Sequence, residues 1–208
     1  MARTPRLTAE FAFVSAGLLV ALMGWVVDLS AALGAAAGEG HGGGELFLRL
    51  NITFFALGLA GIGVGYQHHE RFLREPGWSL RYLAGYLILV DGLFHAFAFN
   101  DHLAEPVPAA FFGLLAPVEV AVGLGLPYVR RSLDAAWLGL AAFLIAAYVA
   151  TRTAAIWPLG AVEEVEALGI LSKVVEVLAI LALVRLIRAA RRERPVSSTP
   201  RTPASGDP

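Results

Sequence analysis

The 208-residue chain has no cysteine, which excludes disulfides, thiolate metal sites, iron–sulfur clusters and cysteine nucleophiles. With only two methionines, a thioether copper relay has no ligands to draw on. Charge is scarce as well. Asp, Glu, Lys and Arg make up 16% of residues, against about a quarter in a soluble domain. The formal net charge of −1 offers no basic surface, so no nucleic-acid partner is implied. Polar stretches long enough to build a soluble catalytic domain are missing. So are a nucleophile elbow, a phosphate loop and a His-Glu-x-x-His motif.

What fills the chain instead is apolar sequence: 57% hydrophobic residues, with a mean hydropathy of +0.66. It is gathered in six runs, 11–36, 46–66, 80–100, 108–129, 135–151 and 167–187. Each is about 20 residues long, enough to cross a hydrocarbon core of about 30 Å at 1.5 Å per residue. The pattern predicts an all-α, polytopic membrane bundle of six transmembrane helices over residues 1–190. Residues 191–208, rich in Pro, Ser and Thr, are expected to form a disordered cytoplasmic tail. The lipid bilayer is the first partner this implies, with multi-pass insertion in the cell membrane.

Basic residues set the orientation. Arg3 and Arg6 precede the first run, Arg71, Arg74 and Arg81 lie between the second and third, and Arg130 and Arg131 lie between the fourth and fifth. Arg185, Arg188, Arg191, Arg192 and Arg194 follow the sixth. With six crossings all of these fall on one side, leaving Arg49, Arg152 and Lys173 towards the other. Both termini are therefore expected in the cytoplasm. Arg3, Arg6, the apolar run and Ala35-Ala36-Ala37 also resemble a secretory signal with a small-residue cleavage site. The run exceeds the usual 7–15 residues of such a signal, so it is read as a retained span.

Charges in hydrocarbon cost at least ~2.5–3.5 kcal/mol on insertion scales and call for partners or a task. Asp28, Asp91, Glu119, Lys173 and Glu176 all fall within the apolar runs and form a candidate intramembrane polar network. Lys173 and Glu176, spaced i, i+3, can form a structural ion pair, or join Asp91 and Glu119 in a proton or ion relay. On the third helix His95, His102 and Glu105 share one face, and two imidazoles and a carboxylate suit zinc, copper or iron. They are the candidate metal ligands, with His41, Glu45 or Asp101 available to complete the shell and Asp91 to orient His95. In the alternative reading His102, Asp101 and Glu105 are solvated and His95 bonds to Asp91 or Glu119. Haem ranks below a transition metal such as Zn or Cu, because only His95 lies clearly inside a span.

Other features read as structural. Gly58, Gly61 and Gly65 form a small-residue stripe for a neighbouring helix. Trp25, Trp78 and Trp157 are placed as an interfacial belt. His68 and His69 are expected to be solvated. Glu163, Glu164 and Glu166 are expected to begin the sixth helix, where the dipole favours acid. Pro106 and Pro108 stop the third helix, and Pro117 is expected to kink the fourth just outside Glu119. The segment 38–45, with His41 among glycines, reads as a flexible, weakly acidic external loop.

Two segments carry a family likeness. One runs Gly92-Leu93-Phe94-His95, then His102-Leu103-Ala104-Glu105 and Phe111-Phe112. The other runs Thr151-Arg152-Thr153, Pro158-Leu159-Gly160 and Gly169-Ile170-Leu171-Ser172-Lys173 to Glu176-Val177-Leu178. Together, over roughly the C-terminal half, they resemble a group of uncharacterised bacterial multi-pass membrane proteins. In that group a His-x6-His-x2-Glu segment closes one helix and an Arg-Thr…Pro-x-Gly…Lys-x2-Glu stretch leads into the last. Glu119 departs from the pattern, which more often has an amide or apolar residue there. The resemblance implies membrane topology and a shared polar site, and names no reaction.

Three functions fit these residues. The first is a membrane protein with an externally facing metal-binding site, serving metal handling or a membrane redox system. The second is a transporter or ion-pathway subunit using the intramembrane carboxylates. The third is a structural subunit alongside other membrane subunits. Whether the chain is an enzyme is left open by the motifs. The orientation has a direct test: with Gly43→Cys and Leu103→Cys an impermeant thiol reagent reacts from outside the cell, while with Gly77→Cys it does not. The opposite labelling would reverse the topology.

Overall fold

The structure is a computed structural model that describes residues 8–35 and 44–192. Arg3, Arg6, Ala36, Ala37, His41 and the tail from 193 onwards lie outside the described residues, and so do the expectations placed on them. Within the described residues six helices are long and apolar enough to cross a membrane: α1 (Ala9–Ala35), α2 (Gly44–Arg74), α3 (Pro76–Asp101), α4 (Pro106–Gly125), α5 (Asp134–Thr153) and α6 (Ala167–Arg192). A short 3-10 turn, Arg131–Leu133, leads into α5. No strand occurs among the described residues.

The local chemistry sets the helix ends. Thr8 caps α1, its hydroxyl oxygen accepting the Phe11 N–H at 3.1 Å, which satisfies one of the first-turn donors. Pro76 and Pro106 open α3 and α4, where a missing N–H costs nothing. Pro117 sits inside α4, which continues through it. At 31 residues α2 is roughly 46 Å long, well beyond the hydrocarbon thickness. It therefore runs past the expected end at 66, breaking at His68, whose φ of −127° is not helical. Gly44 and Glu45, expected in the first loop, belong to α2. Glu163, Glu164 and Glu166 do not begin α6: its first residue is Ala167, and they form the connection before it.

The pairs α1–α2, α3–α4 and α5–α6 pack antiparallel, and Ala9 and Arg192 lie at one end of the bundle with the α3–α4 and α5–α6 connections at the other. The third helix is central, touching α1, α2, α4 and α6, while α5 packs on α6. Two apolar clusters flank it. Leu89, Leu93, Phe94 and Phe97 pack with Ala56 and Leu57 of α2. Ala84 and Ile88 pack with Ala179, Leu183 and Leu186 of α6.

The outside of the bundle is as apolar as the inside. Leu19, Leu22, Phe47, Phe54, Phe55, Leu114 and Leu181 are all exposed. A soluble monomer does not present that much contiguous apolar surface to water, so lipid is the solvent these faces fit. The chain is a membrane protein of the six-helix type.

Backbone approach depends on glycines other than the expected stripe. Gly58, Gly61 and Gly65 face open space, because α1 lies against the other side of α2. Two crossings are close: between α1 and α2 a Cβ on Gly17 would meet the Ala56 carbonyl oxygen at 2.3 Å, and between α3 and α4 a Cβ on Gly85 would meet the Gly123 carbonyl oxygen at 2.6 Å and one on Gly123 the Gly85 oxygen at 2.8 Å. Trp25 makes a cross-helix bond. It is half-buried, and its indole N–H donates to the Ala96 carbonyl at 2.8 Å, tying α1 to α3.

Asp28 leaves the expected network to join a clamp at the α3–α4 end. The Arg49 guanidinium donates to both oxygens of Asp28, at 2.7 and 3.0 Å, and to both of Asp101, at 2.7 and 2.6 Å. Asn100 donates to Asp28 at 2.8 Å. One cation thus joins α1, α2 and α3. Replacing it strands two carboxylates, a cost on the order of 3–5 kcal/mol for a buried pair. Arg49→Met is therefore expected to lower the unfolding midpoint in detergent sharply, and Arg49→Lys, which cannot make both bidentate pairs, to fall between. A wild-type midpoint for Arg49→Met would show that the clamp does not hold the fold.

Candidate functional site

Polar side chains are sorted into three levels along α3. At the level of its first turns, Glu10 accepts from the Tyr82 hydroxyl at 3.1 Å and from Tyr128, and lies 2.8 Å from His68 Nε2. Burial and the neighbouring Glu10 carboxylate push the Tyr128 phenol above its ordinary pKa. His68 is therefore not a solvated loop residue, whereas His69 is exposed as expected. Nearby, Arg81 is buried. It donates to the carbonyls of Leu126 at 2.6 Å and Val129 at 2.8 Å, and pairs with Asp134 at 3.1 Å. It fastens the α4–α5 connection instead of acting as a free loop charge.

The middle level is the candidate site. On α3, Asp91 and His95 are one turn apart and buried. On α4, Glu119 is buried beside them, its carboxylate 2.6 Å from His95 Nδ1. Gly92 makes this possible. A Cβ there would come within 3.0 Å of Glu119 Cβ and of the Val120 nitrogen, tighter than an ordinary contact, so a side chain would crowd α4 beside the imidazole. On α6, the Ser172 hydroxyl donates to Asp91 at 2.6 Å and lies 3.5 Å from His95 Nε2. Lys173 donates to Glu176, forming the expected i, i+3 ion pair. The Glu176 carboxylate is buried, and its second oxygen has no hydrogen-bond partner.

The cluster thus joins Asp91, Glu119, Lys173 and Glu176 of the expected network and leaves Asp28 to the Arg49 clamp. It gathers three carboxylates around one lysine and one imidazole. Asp91, His95 and Glu119 each place a ligand-type atom within 4.8 Å of the others. The carboxylate bonded to His95 is Glu119, while Asp91 stands 3.9 Å from the same nitrogen and is held by Ser172.

The third level contains the remaining expected ligands. His102 and Glu105 group with Glu163 of the α5–α6 connection, again within 4.8 Å, and His95 is not in that group. His102 Nδ1 lies 2.8 Å from the Ala98 carbonyl, which can only accept. Nδ1 therefore carries a proton. His95 and His102 both contact Phe112, whose ring centroid is 5.5 Å from the one and 5.3 Å from the other.

The two histidines also line one cavity of about 330 Å³ between α3, α4, α5 and α6, with Ser172 and Lys173 at its deep end and Arg152 and Glu163 towards the α5–α6 connection. Neither Ser172 nor Glu163 stood out as a site residue in the sequence. Ser172 falls at Ser-Lys-x-x-Glu, a small hydroxyl beside the one intramembrane lysine, and that adjacency was the available signal.

No protein-family model matches the chain, and no curated protein or solved structure does either. The class defined by the fold and the site is a six-helix membrane protein with a carboxylate-rich buried centre.

The centre makes the ion pair testable. Lys173→Met leaves Glu176 uncompensated and is expected to reduce folded yield, on the order of 3–5 kcal/mol for a stranded buried charge. Glu176→Gln in the same chain is expected to restore part of it. Additive losses in the double-mutant cycle would place the two side chains in separate interactions.

Proposed function

We propose that the chain is a cation-handling membrane protein whose binding centre is Asp91, His95 and Glu119, with the Lys173–Glu176 pair beside it. The observation that carries the reading is the charge imbalance at the middle of the bundle. Three buried carboxylates face a single lysine, and a low-dielectric site cannot hold that excess negative charge without a proton or a metal ion. The convergence of one imidazole and two carboxylates from α3 and α4 suits a divalent metal. This donor set is harder than two imidazoles and one carboxylate, which turns the preference from copper towards zinc or manganese. Both roles fit, metal handling and membrane redox chemistry. His102, Glu105 and Glu163 make a staging group nearer the end of the bundle, by which an ion would reach the centre.

A proton or ion pathway is the second reading. It is favoured by the contacts running from Glu119 through His95 and Ser172 to Asp91. The arginines at 71, 74, 130, 131, 191 and 192 support a cytoplasmic placement of both ends. Arg81 adds nothing to that bias, being buried against Asp134. The likeness to bacterial multi-pass membrane proteins fits a cell-membrane location.

Protein purified without a His tag is expected to bind about one zinc or manganese ion per chain. Glu119→Gln and His95→Ala should each lose most of it, while His69→Ala, exposed at the other end, should lose none. Protons compete with metal for the same donor atoms, so affinity should weaken as pH falls. Equal metal content in wild type and a folded His95→Ala/Glu119→Gln variant would refute the metal centre. Proton flux into liposomes that Asp91→Asn abolishes would then favour the pathway.

A further inference from the structure

A larger cavity, of about 600 Å³, lies between α1, α2, α3 and the end of α4. It is on another face of α3 from the central cluster: Leu89 and Leu93 line it, each about 200° round the helix from Asp91. Along α1 it runs from Glu10 to Ala21, a rise of roughly 16 Å, or about half the hydrocarbon thickness. The deep wall is aliphatic, with Ala21, Ala56, Leu89 and Leu93. Phe11 and Leu83 also line the space and are exposed, so it opens towards the lipid-facing surface.

The shallow end is different. Among the described residues lining the cavity, Glu10 is the single charged one, and no Lys or Arg faces it there. Its side chain is 19% exposed, so the charge is reachable. Oε1 already accepts from the Tyr82 hydroxyl at 3.1 Å and from Tyr128, and Oε2 lies 2.8 Å from His68 Nε2. Three groups thus hold the carboxylate, and what it offers a ligand is charge more than a vacant acceptor. Aromatic rings surround it. Phe72, Tyr82 and Tyr128 line the same space, with centroids 5.6 Å apart for the first two and 6.2 Å for the last two. A carboxylate among aromatic faces attracts a cation, and a quaternary ammonium above all. That head has no N–H to donate, so the occupied oxygens of Glu10 are no obstacle to it.

The geometry points to a binding site for a free amphipathic cation, with its quaternary ammonium head against Glu10 and the tyrosine rings and its alkyl chain along the aliphatic wall. A choline lipid carries the same head, but its phosphate would lie beside the Glu10 carboxylate with no basic lining residue to meet it. The inference does not depend on metal at the central cluster.

The test is equilibrium binding of radiolabelled dodecyltrimethylammonium to the full chain in phosphatidylcholine nanodiscs, with empty nanodiscs subtracted, at about pH 8, above the ordinary histidine range. Dodecanol and dodecyl sulfate, the same chain under a neutral and an anionic head, are the competitors. Wild type is expected to bind one cation saturably despite the excess of choline lipid, and displacement should need at least about tenfold more of either competitor. Glu10→Gln keeps an acceptor for the tyrosines and removes the charge. It should level the affinities for the cation and dodecanol while retaining dodecanol binding, which shows the cavity intact. Gly61 lines the cavity and has open space at its Cβ position, so Gly61→Phe should fold as wild type and weaken binding of cation and dodecanol alike. Asp91→Asn should bind the cation as wild type does, which separates this site from the central one. The comparison of heads on wild type needs no variant: no saturable binding, or equal displacement by dodecanol, would overturn the proposal, the latter by assigning the cavity to lipid chains. So would a cation preference kept in folded Glu10→Gln.

Discussion

A buried charge in hydrocarbon must be matched within the protein, and the arrangement of this bundle follows from that constraint. The third helix carries the groups to be matched: Arg81, Asp91, His95, Asn100 and Asp101 in order along its length. Each is answered from a different neighbour. Arg81 is met by Asp134 and the α4–α5 carbonyls, Asp91 by Ser172 of α6, His95 by Glu119 of α4, and Asp101 by Arg49 of α2. Because the partners come from so many elements, α3 can occupy only the centre, and its long burial is a consequence of its polarity. The helices around it turn their few charged residues towards α3 and their apolar faces to lipid.

The two ends of α3 are each closed by an arginine, though Asn100 Oδ1 at one and Asp134 Oδ1 at the other have no hydrogen-bond partner, while its middle has no arginine. The Arg49 clamp satisfies Asp28 and Asp101 bidentately, and Arg81 spends its donors on a carboxylate and two carbonyls. At the middle, three carboxylates share one lysine and one imidazole, and a Glu176 oxygen remains unpartnered. A structural ion-pair network gains nothing from such an imbalance, since desolvating an unmatched charge is the costly part.

Close backbone approach makes the centre possible. Glycines 85, 92 and 123 bring α3 and α4 within van der Waals contact, and Gly92, with no side chain, leaves Glu119 uncrowded beside His95. Gly169 does the same for Tyr148 at the α5–α6 contact. Small residues here are less a general packing device than the means by which particular polar atoms meet.

Six spans, their approximate bounds and the i, i+3 pairing of Lys173 with Glu176 were legible in the amino-acid sequence. Hydropathy and helical spacing are local properties, and a membrane leaves a helix as nearly the only way to satisfy the backbone. The role of Gly58, Gly61 and Gly65 was not legible, because a stripe of small residues does not say which face a neighbour takes. Nor was the division of the histidines. His95 and His102 share a helix face, yet Glu119 from α4 engages the first, and Glu163, from a connection outside any apolar run, stands beside the second. Arg81 looked like a loop charge, and only the fold of the α4–α5 connection over it made it a buried clamp. Spacing along one helix determined which side chains could face the same way. Which of them met a partner was decided by the helices that packed against that face, since a hydrogen bond needs its second atom within about 3 Å, and that atom came from elsewhere in the chain.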